Sequence, residues 1–349
     1  MSEELFRYFS ERDLAYSGCF SVPMAIEVAE QAMLDYHSGK ILCPGKVIQI
    51  FDEETQNRIN CLPATLLTPG ICGMKWVSVF PFNPMRYGIS NVSALILLSE
   101  IRSGRPVALL EATLCSNLRT GAITAVAAKF LANVGSRRIA FIGSGEQARA
   151  HFLCLKHVLP ALELCFIASR TRESCERFVE SMSPLFPDVE FRACGNRFQE
   201  AVVGADVIVT ATSAQEPILQ ADWVKPGALY CHVGGWEDSY EVPLKASKIF
   251  CDSWHSAKIR AQTISRLHRM GRLRDEAISG DLHQVVAGEI EGRANGEEFI
   301  YFNAVGLAYV DVALGWRMAQ MARQAGLGAE LVHGGSGILD QSVRDFIKL

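Results

Sequence analysis

The sequence predicts an α/β protein in which a doubly wound parallel sheet is joined to a smaller α+β domain. Three observations carry that expectation. From residue 137 onward short apolar runs alternate with amphipathic stretches. A glycine-rich turn, GSGEQA, stands between the first run and the stretch after it. Before residue 120 the pattern is instead one helix followed by short extended segments punctuated by Gly, Pro and Asn.

In chain order, SVPMAIEVAEQAMLDYHSGK has the periodicity of an amphipathic helix, and KVIQIFD, RINCLPATLL, GICGMKWVSVF and SALILLSE read as strands. A helix over LRTGAITAVAAKFLA (118–132) leads into the second part. There RRIAFIG (137–143), LELCFIAS (162–169), VEFRAC (189–194), DVIVTAT (206–212), ALYCHVGG (228–235) and KIFCDS (248–253) are short and almost continuously apolar, as strands covered on both faces must be. EQARAHFLCLKHVLP and RESCERFVESMSPLF supply helices between them, so right-handed crossovers and a Rossmann-like sheet follow. After residue 305, VGLAYVDVALGWRMAQMARQAG predicts a long helix that carries the chain back onto the first domain, and the tail HGGSGILDQSVRDFIKL reads as loosely attached. The expected division is 1–120 plus 306–349 for one domain and 121–305 for the other.

The chain has 349 residues, 49% hydrophobic and 21% charged, with a formal charge of −4 and both signs interspersed. No basic block would track a phosphate backbone, so nucleic acid is not an expected partner. The charged N-terminus lacks a signal-peptide core and no apolar run approaches the roughly 18 residues of a membrane span, which points to a cytoplasmic protein without a membrane partner. Eleven cysteines lie mostly within apolar runs and form no CxxC pair, so they read as small buried hydrophobes and no metal site is expected.

The glycine turn is G-x-G-x-x-A, with Gly143, Gly145 and Ala148 enclosing Ser144, Glu146 and Gln147. The first glycine permits the turn, the second lets backbone approach a pyrophosphate, and the small third residue lets helix and strand pack closely. About 26 residues beyond Gly143, where a ribose-binding carboxylate would mark NAD, stand Ser169, Arg170, Thr171 and Arg172. A hydroxyl and two guanidinium groups suit a 2′-phosphate, so NADP(H) is favoured, with NAD(H) the alternative. Further cofactor contacts are expected from Thr120 and from strand ends at Thr210, Ala211, Thr212, Val233 and Gly234.

In GICGMKWVSVF, alternation puts Lys75 on the face of Ile71, Val77 and Val79, where it must either snorkel or line a polar cavity. Arg119 reads as lying near a helix N-terminus, a position the macrodipole disfavours for a cation, and so invites a ligand. Lys46, in CPGKVIQIF, is a third cation. With no matching internal acids in view, these three suit a substrate carrying carboxylates.

At GMKWVSVFPFNP, LLEATLCSNLRTGAITAVAAKFLA, RRIAFIGSGEQA and FNAVGLAYVD (302–311) the chain resembles the ornithine cyclodeaminase/mu-crystallin family, in the right order along nearly its whole length. The resemblance implies a homodimer formed through the first domain, which is thus both substrate-binding and dimerising. It also implies a site between domains and hydride exchange between nicotinamide and the α-carbon of an amino acid or cyclic imine. It assigns Lys75 and Arg119 to the substrate carboxylate and the reacting centre, and Lys46 to a position where an arginine is commoner; Asn91 joins them as a candidate substrate contact. The cyclodeaminases place an aspartate after a Gly-Gly-like turn, whereas HVGGWEDSYEV has Trp236 there, followed by Glu237 and Asp238, which become the candidate acid/base pair. Within the family, CDSWHSAKIRAQTISRLHRMGRL and GDLHQVVAGEIEGR are similar to dehydrogenases of siderophore and antibiotic pathways. These release L-2,3-diaminopropionate and 2-oxoglutarate from N-(2-amino-2-carboxyethyl)-L-glutamate, and the expected cofactor of that subgroup is NAD, unlike the reading of SRTR here. Alternatives are an NADPH-dependent reductase of cyclic ketimines such as pyrroline-2-carboxylate, an ornithine cyclodeaminase, and a non-enzymatic NADPH-binding protein.

Overall fold

Alternating burial along the early strands builds a mixed sheet with one covered face. The computed structural model describes residues 5–52 and 54–333. Its first seven strands are β1 (Leu5–Phe9), β2 (Ile41–Leu42), β3 (Val47–Asp52), β4 (Asn57–Leu66), β5 (Ile71–Val79), β6 (Val92–Glu100) and β7 (Pro106–Glu111). β2 and β3 both pair with β4, β4 to β7 run antiparallel in succession, and β1 lies parallel to β7. On β5, Ile71, Gly73, Lys75 and Val77 face inward, while Cys72 and Trp76 face out. The helix Val22–His37, started by Ser21 and Pro23, and the returning helix Ala308–Gln324 belong to this part of the molecule; the latter packs on β4, β5 and β6. A Cβ on Gly315 would stand only 3.1 Å from Ile96, a measure of how closely that helix approaches the sheet. The outer face stays apolar: Trp76 lies in register between Cys61 and Leu95, and both Trp76 and Leu95 are exposed.

The second sheet is parallel throughout. It comprises β8 (Arg138–Ile142), β9 (Leu164–Ala168), β10 (Glu190–Gly195), β11 (Val207–Thr210), β13 (Leu229–His232), β15 (Lys248–Cys251), β16 (Gly280–Asp281) and β17 (Ile300–Asn303), in the order β10-β9-β8-β11-β13-β17-β15-β16. β12 (Gln215–Leu219) and β14 (Trp236–Asp238) form a separate parallel pair, and β18 (Ala329–Val332) adds antiparallel to β1. The six apolar runs expected as parallel strands all lie in this sheet, and β17, inserted between β13 and β15, was not foreseen.

One helix departs from its expected bounds. It runs Thr113–Leu131, so Arg119 lies nearly two turns inside it and is not at its N-terminus. Residues 115–128 of that helix are all buried, so its first turns show no polar face to mark a beginning. Gly121 allows it to press on the helix Glu146–Val158, where a Cβ would meet the Ala150 carbonyl at 2.6 Å. All eleven cysteines are unpaired. Among the described residues no helix is long and apolar enough to cross a membrane, and the tail 334–349 lies outside them.

Candidate active site

The strand order reverses between β8 and β11, the place where an open parallel sheet leaves a crevice at its carboxyl edge. Gly143 follows β8 with φ +110°, and a Cβ there would stand 2.6 Å from the Ala211 carbonyl, so only glycine fits. Gly145 caps the helix Glu146–Val158 and has open space beside it, while Ala148 is sealed against the sheet. This is a cradle with free backbone N–H groups at a 13-residue helix start, and it fits a pyrophosphate. Ser144 and Glu146 both accept from the Arg149 guanidinium, and Gln147 Nε2 donates to Asn117 Oδ1 at 2.7 Å, linking the turn to the helix that carries Arg119. Thr210, Ala211 and Thr212 end β11, and Val233 and Gly234 follow β13. Thr120 instead turns its hydroxyl onto the Ser116 carbonyl at 2.7 Å.

Beyond β9, Ser169 bonds to Ser174 and Thr171 caps the helix Arg172–Met182. Arg172 pairs with Glu176 at 2.8 Å, whereas the exposed Arg170 has no side-chain partner among the described residues.

Lys75 does not snorkel. It is fully buried, donating to Ser116 Oγ at 3.1 Å and to Asp311 Oδ1 at 2.6 Å, and the same oxygen accepts from Arg119 Nε at 2.7 Å. The supposed lack of internal acids is therefore corrected: Asp311 comes in on the returning helix from far along the chain. Among the described residues Asp311 Oδ2 has no partner, and the terminal amino groups of Arg119 have none either. Burial, with the neighbouring Arg119 charge, pushes the Lys75 ammonium down to about 8.

Lys46 joins this cluster through the turn at 304–306. Its Nζ donates to the Val305 carbonyl at 3.1 Å, while Asp252 accepts from the Val305 and Gly306 amides at 2.9 and 2.7 Å. Gly306, at φ +87°, lies directly under the Arg119 guanidinium, since a Cβ there would be 2.7 Å from Nη1. Burial and the charge of Arg260 push Lys46 down to about 7, and burial pushes Asp252 up to about 6.

Glu237 and Asp238 occupy a different place from the one expected of an acid/base pair. Both are fully enclosed. Glu237 accepts from Thr210 Oγ1 at 2.7 Å, from the Thr212 amide and from the Gly234 amide at 2.9 Å, so one carboxylate ties together the loops after β11 and β13. Asp238 accepts from Thr263 Oγ1, near His232 and Tyr301, and burial pushes its carboxyl up to about 7. Trp236 is half-buried with the Arg266 guanidinium 4.1 Å above its ring. Asn91 is also set apart: it is exposed, and the β5–β6 register pairs Lys75 with Ile96, about 17 Å along the strand at ~3.3 Å per residue.

Asp311, Asp252, Arg58 and Arg260 were not singled out from sequence. Asp311 closes the motif FNAVGLAYVD, so the signal was present without a partner to give it meaning.

A switch-point cradle facing a buried cationic cluster defines the class of nicotinamide-dependent oxidoreductases. The chain belongs to the ornithine cyclodeaminase/mu-crystallin family, whose model matches residues 17–325. It is 28% identical to N-((2S)-2-amino-2-carboxyethyl)-L-glutamate dehydrogenase of Staphylococcus aureus over 93% of this chain and 97% of that protein. Among solved structures it is similar to Thermococcus litoralis Δ1-pyrroline-2-carboxylate reductase in complex with NADH and L-proline, with a TM-score of 0.88 and 29% identity over 93% of this chain and 99% of the other. An archaeal alanine dehydrogenase dimer with bound NAD superposes with a TM-score of 0.86 and 29% identity, covering 95% of this chain and all of that one (100%).

Proposed function

We propose that this chain is an NAD(P)-dependent dehydrogenase acting on the C–N bond of an N-(2-amino-2-carboxyethyl)-L-glutamate-like conjugate, releasing L-2,3-diaminopropionate and 2-oxoglutarate. The observation that carries this reading is the excess of positive charge in the cleft. Asp311 is shared between Lys75 and Arg119, which leaves the Arg119 amino groups and Lys46 without a carboxylate partner among the described residues. A substrate rich in carboxylates supplies what is missing, and the staphylococcal dehydrogenase is named for such a compound.

When bound, the nicotinamide supplies the acceptor for the hydride of the substrate α-carbon. The residues of the chain do the rest by placement and proton handling. Arg119 holds the α-carboxylate over Gly306. Lys75, at about 8, exchanges a proton near neutral pH; it takes one from the substrate amine before oxidation and returns it to the leaving amine after water has added to the imine carbon. Asp311 keeps Lys75 aimed. Water addition breaks the C–N bond and yields the keto acid and the free amine.

The cofactor read from the second strand is NADP(H), through Arg170 with Ser169 and Thr171; Arg172 is already engaged by Glu176. Residues 121–305 hold it, and residues 1–120 with the returning helix hold substrate. The apolar outer face around Trp76 and Leu95 is the surface through which two copies pair, as the alanine dehydrogenase dimer suggests by likeness. A second reading, a reductase of cyclic ketimines, is favoured by the same Arg170 and by the likeness to the proline-bound reductase.

Absorbance of the reduced nicotinamide separates the two. Turnover of the conjugate with NADP+ or NAD+ is the expected result; turnover only of pyrroline-2-carboxylate with NADPH would replace it by the second reading. In the same assay Arg170→Ala should raise KM for NADP(H) by on the order of tenfold with little change for NAD(H), and equal effects on both would reverse the cofactor preference.

A further inference from the structure

The reading above accounts for Lys46, Lys75 and Arg119 and leaves two arginines unexplained. Arg58, on β4, donates from Nη1 to the Gln56 carbonyl at 3.0 Å, while its buried Nε has no partner. Arg260 lies between the helices Trp254–Ala257 and Thr263–Arg269 and is half-buried, yet its side chain makes no hydrogen bond or ion pair with any described residue. Its position is set by the backbone around it. The Arg260 amide bonds to the Ala257 carbonyl, and Gln262, two residues on, donates to the Gly234 and Ala304 carbonyls at 3.0 and 3.3 Å. This anchors the Arg260 segment beside the 304–306 turn on which Lys46, Asp252 and Arg119 converge. The Arg260 charge is felt at Lys46 and at Arg58, both of which are held below their usual range by burial first and by that charge second.

Arg58 on β4, Lys46 just before β3 and Arg260 between two short helices are thus three half-buried cations with no ion-pair partner among the described residues, the charge of Arg260 being felt at the other two. Asp252, the nearby acid, directs its oxygens to the amides of Ser253, Val305 and Gly306 and stands beyond ion-pairing distance of all three. Half-buried like charges that outnumber the nearby acid, Asp252, oppose folding, so such a cluster is retained where an anionic ligand completes it. An arginine with both terminal amino groups free offers the forked geometry that a carboxylate accepts bidentately.

We infer that Arg260, with Arg58 and Lys46, forms a second carboxylate subsite that binds the distal acid group of the substrate and selects dicarboxylic or larger ligands over monocarboxylic ones. The inference rests on the proposed site at Lys75 and Arg119 for the α-carboxylate, and it holds whichever direction the hydride moves.

Binding of two keto acids to the enzyme saturated with reduced cofactor tests it: 2-oxoglutarate, with a distal carboxylate, and pyruvate, without one. Calorimetry on the parent enzyme should show 2-oxoglutarate binding tighter than pyruvate by on the order of tenfold or more. Arg260→Met should abolish most of that ratio by weakening 2-oxoglutarate alone, with pyruvate affinity and reduced-cofactor affinity unchanged. A ratio unaffected by Arg260→Met, or no preference in the parent, overturns the subsite. Should Arg260→Met fail to fold, Arg58→Met removes the facing cation and is read the same way. Failure of the conjugate to turn over, alongside an Arg260-dependent preference for 2-oxoglutarate, would sink the proposed reaction and leave the subsite standing.

Discussion

Asp311 and Glu237 are both fully buried, and their partners differ in kind. Asp311, on the helix packed against the first sheet, is held by the side chains of Lys75 and Arg119 and keeps one oxygen unbonded. Glu237, above the parallel sheet, is held by two backbone amides and a threonine hydroxyl, using both oxygens. Side-chain charges can be shared with an incoming anion, and backbone amides cannot move without moving their loops. In the proposed reaction the first carboxylate therefore belongs to the reacting machinery, and the second fixes the shape of the cofactor crevice.

Lys75→Met should draw the distinction most sharply. Loss of a general acid/base costs about 10²–10⁴ in kcat, with cofactor affinity unchanged, and a loss below about tenfold would break the comparison. In the parent, activity should turn over near pH 8, where the Lys75 ammonium loses its proton, and Lys75→Arg should remove that limb of the profile. A smaller effect is expected at the other carboxylate. Glu237→Gln should lower unfolding stability by about 1.5–3 kcal/mol and raise the cofactor KM while leaving kcat within a few-fold; a kcat loss equal to that of Lys75→Met would return Glu237 to the chemistry. A third effect, read from pH dependence alone, falls on Asp238. Its folded value, about 7, lies above the usual 3.8, so the folded chain keeps a proton that the unfolded chain releases. The stability this gives is complete below about pH 4 and is lost as pH rises through 7. Asp238→Asn, which stays neutral, should thus gain Tm over the parent more at pH 8 than at pH 5, and an equal difference at both would refute the assignment.

Much of this was legible in the residues, and the reasons for the rest are physical. The parallel strands announced themselves because burial on both faces leaves little but apolar side chains, and alternation put Lys75 on an apolar face while leaving open whether it snorkels. Asp311 could not be matched with Lys75 because 236 residues separate them and only the docking of a helix brings them together. The start of the helix at Thr113 was hidden for a related reason: a segment enclosed on every side carries no periodic polar face. Glu237 reads as an acid/base candidate because it follows the turn HVGG at a strand end, whereas its direction is set by Thr212 and Gly234, on two different loops.

The late position of Asp311 also orders events during synthesis. Lys75 and Arg119 precede Asp311 by 236 and 192 residues, so both leave the ribosome long before the helix Ala308–Gln324 that brings their counter-charge. Only then does β18 add to β1 and complete the edge of the first sheet. The cleft is therefore electrically balanced only once the helix Ala308–Gln324 has docked on the first sheet.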